Sequence, residues 1–263
     1  MGTYKTLKEG LIDLINNNMD IPNELLRLEM KELAEEVRFR FAKKGISDIF
    51  HILSNVAFLI RKPLDIDGLS GFITYLDKHF IVYLNSNFTL GHERYTGAHE
   101  LYHIIYNKGI LKKEKVFLDK EKHREEEQRA DIFAAEFLMP EDYVKEIFYK
   151  TTSLDQGGLY PKHIIRMHNY FKVSYKAMLK RLLQLDLCSN EMYGELVKFC
   201  TLENESKLQA LTKEEGFTID LIVPSKENYI PEEYIVYVKA NYKNRKISHD
   251  DLREVLNFIG LDA

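Results

Sequence analysis

Cysteine is scarce in this chain. Its 263 residues hold two, Cys188 and Cys200. Two are too few for a disulfide framework, and these lack the CxxC spacing of a structural zinc site. They read as reduced thiols of a reducing compartment, and a cytoplasmic location is expected. Long apolar runs are also missing. The richest stretch, Ile49 to Ile60, is broken by His51, Ser54 and Asn55, far short of the ~20 residues that span a bilayer. The first residues carry Lys5, Lys8, Glu9 and Asp13 with no apolar run between them, so no secretory signal is expected. There is no basic excess. Lys+Arg number 37 against Asp+Glu 41, a net charge of −4, and the two signs are mixed along the chain. Direct nucleic-acid binding is therefore not expected. Gly 13 and Pro 6 exclude collagen-like and low-complexity chains.

What remains is an ordinary globular composition, 45% apolar, 30% charged and 12% aromatic. The length suits one or two domains with a sizeable core. Residues 1–20 read as weakly helical. Pro22-Asn23 opens a helical pattern to about Lys44, and Gly45 is a natural stop. Asp48 caps a second helix, expected to reach about Ile60. Phe72-Ile73-Thr74-Tyr75 and Phe80-Ile81-Val82-Tyr83-Leu84 are aromatic and β-branched around Asp77-Lys78, which predicts an antiparallel hairpin. Helices are expected from Tyr95 to Asn107 and from Glu125 to Met139, where Pro140 breaks the pattern. Two more are expected between Pro161 and Leu185, split at Lys172-Val173-Ser174. Further on, Phe217 to Val223 alternates like a strand, and 231–243 and 248–259 read as helices.

The chemistry lies in His99-Glu100-Leu101-Tyr102-His103. A helix turns ~100° per residue, so the two histidines stand ~40° apart on one face. Imidazoles at that spacing can hold one Zn2+ ion, with Glu100 close enough to serve as general base toward a water. The flanking Ala98, Leu101, Tyr102, Ile104 and Ile105 carry no charge, as a helix buried beneath a cleft requires. His92-Glu93 has Thr96 in place of a second histidine and is read as no site.

A third ligand is expected from Glu125-Glu126-Glu127. On a helical wheel Ala130, Phe133, Ala134, Phe137 and Leu138 form the buried face. Glu125 falls opposite that face, whereas Glu126 and Glu127 fall at its edges. Asp131 stands one turn after Glu127 and shares its direction. A ligand carboxylate at Glu127 gives Asp131 the task of orienting a ligand histidine through its free N–H. Glu126 is then expected to be dispensable for the metal. His123, just before this helix, is a candidate transition-state stabiliser.

His99-Glu100-x-x-His103, followed by Glu127-x-x-Ala130-Asp131-x-Phe133-Ala134-Ala135-x-x-Leu138-Met139-Pro140, resembles the ImmA/IrrE family of zinc metallopeptidases. Arg94-Tyr95-Thr96 and the Gly71 hairpin ending at Asn85 are also similar to it. The resemblance covers roughly residues 30 to 185. It implies a zincin-like active site and an α+β fold: a mostly helical metallopeptidase domain with a small antiparallel sheet, followed by a helical C-terminal region. It also implies cleavage of a helix-turn-helix repressor. Tyr102 departs from the family, which often has Gly there, and the larger ring is expected to narrow the cleft floor.

The expected layout is an N-terminal helical extension over 1–30 and a metallopeptidase core over 31–150. A helix-turn-helix-like pair over 151–188 packs on the core, and a C-terminal α/β region of unassigned role spans 189–263. Lys176, Lys180 and Arg181 in the helical pair could face phosphate, but a packed buttress with solvated lysines suits the acidic chain better. The alternative to an endopeptidase is a catalytically silent regulatory or DNA-associated protein that retains the fold. Intact His99, Glu100, His103 and Glu127 favour the enzyme.

Overall fold

The computed structural model describes residues 21–45, 47–76, 78–114, 123–153 and 158–259. The N-terminal segment 1–20, Asp77 of the hairpin turn and residues 154–157 of the polar boundary lie outside them. Helix α1 (Ile21–Ala42) is followed by α2 (Ile49–Val56), then by β1 (Phe58–Lys62), β2 (Gly71–Leu76) and β3 (His79–Asn85). The remaining helices are α3 (Leu90–Tyr106), α4 (Lys108–Glu114), α5 (Arg124–Leu138), α6 (Glu141–Thr152), α7 (Pro161–Phe171), α8 (Tyr175–Gln184), α9 (Asn190–Leu196), α10 (Glu205–Glu214), α11 (Glu232–Lys243) and α12 (His249–Ile259). The fold is α+β and mostly helical.

Local signals explain most boundaries. Gly45 takes φ +72 just past α1, a conformation that costs glycine little. Asp48 caps α2 by accepting from the Phe50 and His51 amides. Helix α1 runs through residue 30 without a break, and Met30 packs in the same core as Phe133 and Ala134.

Two elements differ from the sequence expectation. Helix α2 stops at Val56, and Phe58–Lys62 is a strand. Its Phe-Leu-Ile run gains a backbone ladder by pairing parallel with β3, Phe58 beside Ile81 and Arg61 beside Leu84. The sheet is therefore mixed rather than antiparallel, in the order β1-β3-β2, with the expected hairpin as its antiparallel half. Phe217 to Val223 is not a strand; Asp220–Ile222 forms a single 3-10 turn.

Two hydrophobic clusters organise the molecule. The first joins α1, α2, the inner sheet face (Leu59, Ile73, Val82, Leu84), α3 and α5. The second joins the end of α5 to α6 through α10. Helices α7 and α8 form the expected tight pair, turned by Lys172 at φ 54. The pair is a buttress. Arg181 is buried, pairs with Glu136 at 2.7 Å and donates to the Met139 carbonyl, so it does not face phosphate.

The C-terminal tail is sewn to the front of the sheet. Tyr229 exchanges two backbone hydrogen bonds with Arg61 on the outer edge of β1. Leu90 donates to the Val223 carbonyl, and Lys226 donates to that of Ser86. Within this seam Arg61 pairs with the fully buried Glu93 at 3.0 Å, and the Ser225 hydroxyl donates to the other Glu93 oxygen. Among the described residues, β2 pairs with β3 alone, and its outer side is left as an open sheet edge.

Candidate metal centre

Helix α3 begins earlier than its glycines suggest. The Thr89 hydroxyl accepts from the His92 amide, which starts the helix at Leu90 despite Gly91 and Gly97. Gly91 is required by proximity. An added Cβ would lie 2.5 Å from the Val173 carbonyl carbon and 2.7 Å from the Ser174 Cα. Helix α3 thus touches the α7–α8 turn backbone to backbone. On the other flank α3 packs against α5 through Leu101, Tyr102 and Phe133.

That packing brings the predicted ligands together. The Nε2 atoms of His99 and His103 are 3.2 Å apart. The Glu127 carboxylate lies 3.4 Å from the first and 3.3 Å from the second. One ligand atom from each of these three residues lies within 4.8 Å of the other two. Glu100 is 6% exposed and lines the same cleft. Tyr95 of α3 donates to the Asp131 carbonyl at 2.8 Å, which fixes the two helices at the level of the site.

The partners on the far side of each imidazole set its tautomer. His99 Nδ1 lies 3.0 Å from the Asp131 carboxylate, as the sequence predicts. His103 Nδ1 lies 2.8 Å from the side-chain oxygen of Asn107, an atom that only accepts. Both Nδ1–H groups therefore donate outward, and both Nε2 atoms face the centre and Glu127, where a metal would take the place of a proton. Asn107 in turn donates to Glu126 at 2.6 Å, and Tyr102 donates to the same oxygen at 3.1 Å. Sequence reasoning missed Asn107 and treated Glu126 as dispensable. The signal was present, since Asn107 is one turn after His103 just as Asp131 is one turn after Glu127.

The electrostatics match a cation. Burial alone would lower the His99 imidazole, but Asp131 and Glu127 overcome it and push its pKa up to about 10. Burial likewise raises the Glu127 carboxyl, yet hydrogen bonds from His103 and His99 hold it well below the usual carboxylate range. Both shifts mark a place where positive charge is stabilised. Two imidazole nitrogens and one carboxylate form a donor set suited to zinc.

Two other expectations come out differently. Tyr102 is 3% exposed and turns away from the cleft, packing on His103, Tyr106 and Phe133, so it does not narrow the floor. His123 sits at the start of α5, 2.9 Å from Glu114, and is not among the residues that line the cleft. His92, read as outside any site, does line it.

The cleft is a cavity of about 480 Å³ between α3, α5 and the segment Ile66–Phe72. Gly71 stands where β2 passes close to α3; a Cβ there would meet the Tyr83 carbonyl at 2.7 Å and Thr96 at 2.8 Å. The start of the free sheet edge thus borders the three candidate ligands.

The sequence model of the IrrE N-terminal-like domain, a peptidase family, matches residues 59–183. That stretch, a little under half of the chain, is similar to the ImmA/IrrE peptidase family. No curated protein matches it. The family match spans the sheet and α3 through α8, and so includes His99, Glu100, His103, Glu127 and Asp131. The match supports a metallopeptidase-like function and implies a metal ion and a protein substrate. No helix among the described residues is long and apolar enough to cross a membrane.

Proposed function

We propose that the protein is a zinc-dependent endopeptidase that hydrolyses a peptide bond in a regulatory protein, a helix-turn-helix repressor. The observation that carries this reading is the convergence of His99 Nε2, His103 Nε2 and the Glu127 carboxylate, the two imidazoles each backed by its own partner. Bound by these three residues, zinc would polarise the scissile carbonyl and acidify a water. Glu100 takes the proton of the attacking water and passes it to the leaving amine nitrogen. Asp131 and Asn107 keep both imidazoles in the ligating tautomer. The free edge of β2 pairs with the main chain of an extended substrate, giving affinity with little demand on sequence. In this reading the cytoplasm is the site of action.

The test uses the repressor that co-purifies with the chain from its native cell. Wild type and Glu100→Gln should each carry one zinc per chain, and only wild type should cut the repressor. Zinc loss in Glu100→Gln, or cleavage near the wild-type rate, overturns the role given to Glu100. Absence of metal from the wild type overturns the peptidase reading as a whole.

A further inference from the structure

His92 lies seven residues before His99 on α3, two turns along the same face and ~10 Å up the helix axis. Its ring is fixed on two sides. Nε2 is 2.8 Å from the Ser70 hydroxyl, and the ring stacks on Phe88 at 4.6 Å between centroids. One side of this ring faces the cleft with Ser70, Thr96 and His99. The other borders a second cavity of about 360 Å³. His92 is thus a wall common to both.

The second cavity is largely apolar. Phe88, Phe199, Leu208, Ile222 and Pro224 line it, and Leu202 at the same site is 90% exposed. Phe88, His92, Tyr175 and Lys176 of the lining belong to the family-matched stretch; Phe199, Leu202, Leu208, Ile222 and Pro224 come from the tail beyond residue 183. The tail is held in place by the Leu90–Val223 hydrogen bond and the Thr89–Pro224 bridge. Burial and the neighbouring Lys176 lower the His92 pKa, so the shared wall favours the uncharged ring.

The direction of the substrate follows from β2. Ser70 contacts His92, and Gly71 comes next to Thr96. Tyr75, further on, lies under Lys112 beyond the C-terminal end of α3. Strand β2 therefore runs in the same sense as α3, from His92 toward His103 and past it. A peptide antiparallel to β2 has its N-terminal side at the His103 end and its leaving-group side at His92. An extended chain advances ~3.3 Å per residue, so ~10 Å corresponds to about three residues.

We propose that this second cavity is a specificity subsite, which takes an aromatic or long aliphatic side chain about three residues C-terminal to the scissile bond. The proposal rests on the peptidase reading and adds a substrate preference to it. It also gives the tail a task in recognition.

The experiment is a binding measurement on the zinc-loaded full chain. The probes are two peptides that carry a zinc-chelating hydroxamate at the N-terminal end, with Phe or Ala at the third residue. Wild type should bind the Phe probe at least tenfold more tightly than the Ala probe. Phe199→Ala and Ile222→Lys should reduce that ratio below about threefold, while zinc content and Ala-probe affinity stay unchanged. Equal binding of the two probes by wild type overturns the subsite and leaves the metal centre standing. A Phe preference that survives both substitutions also overturns it. If neither probe binds, the peptidase reading fails, and the subsite falls with it.

Discussion

Asn107 stands one turn after His103, and its side-chain oxygen accepts the Nδ1 proton of that histidine across 2.8 Å. The contact completes a chain of fixed polarity. The Glu126 carboxylate accepts from Asn107, Asn107 accepts from His103, and His103 is left with its Nε2 facing the centre and Glu127. Asp131 does the same for His99 in one step.

A graded zinc series follows from these two chains. Glu127→Ala removes a ligand and should lose most zinc affinity. Asp131→Ala and Asn107→Leu leave the ligands in place but free an imidazole to rotate, and each should cost about 10–100-fold. Glu126→Ala should cost less than Asn107→Leu, because the first bond to His103 survives. Competition against a chelator ranks the four. A zinc-free Glu126→Ala protein beside a zinc-replete Glu127→Ala protein would show the ligand register to be off by one.

Gly91→Ala should be among the most damaging small changes. The new methyl would meet backbone atoms of Val173 and Ser174, which cannot swing aside as a side-chain tip can. Overpacking costs ~1–3 kcal/mol, and the upper end is expected here. Gly109→Ala is the control, since its Cβ would meet nothing within 4 Å. Urea midpoints of the two variants decide the matter: a similar shift in both removes the close-approach argument.

The pair Arg61–Glu93 should behave as a buried charge pair does. Arg61→Met leaves the fully buried Glu93 carboxylate with the Ser225 hydroxyl as its remaining partner in the seam. Breaking such a pair from one side costs about 3–5 kcal/mol. Adding Glu93→Gln to Arg61→Met should recover part of the loss, because the stranded charge is gone. A double variant less stable than the single one would contradict this account.

His168 predicts a pH effect on stability. Burial lowers its pKa from 6.5 to about 4. Its Nδ1–H donates to the Val173 carbonyl, and Asn169 donates to Nε2, so the neutral ring is fully used. The unfolded chain takes up a proton below pH 6.5, while the folded one waits until about pH 4. Stability is therefore complete above pH 6.5 and falls by up to ~3 kcal/mol as the pH drops through that window. Urea unfolding at several pH values should show this slope in wild type and a flatter one in His168→Gln. Parallel slopes would assign the effect to other groups.

The candidate site was more legible in the sequence than the framework that positions it. His99, Glu100 and His103 are fixed by helical spacing alone, and Glu127 and Asp131 by a second application of the same rule. Asn107 obeys it too, but an asparagine near a helix end also reads as a cap, which hid its contact with His103. Strand β1 was hidden for a different reason. Phe58-Leu59-Ile60 is too short to show a period, and only pairing with β3 decides its conformation. The Phe217–Val223 alternation misled because that segment finds no partner strand there and turns instead. His92 was set aside for lacking a ligand partner, although its place two turns before His99 already put it on the cleft-lining face.

The seam of residues 223–229 bears on where this protein could be divided. Residues 59–183, which carry the family match, are not a severable unit. Excision would strip Met30, Ala34 and Val37 from the core they share with Phe133 and Ala134. It would also take Ser225 from Glu93 and leave the outer edge of β1 bare where Tyr229 had covered it. Sequence kinship and mechanical autonomy thus have different borders in this chain. The smallest autonomous piece has to begin near the start of α1 and extend past Tyr229, about 80 residues more than the matched stretch.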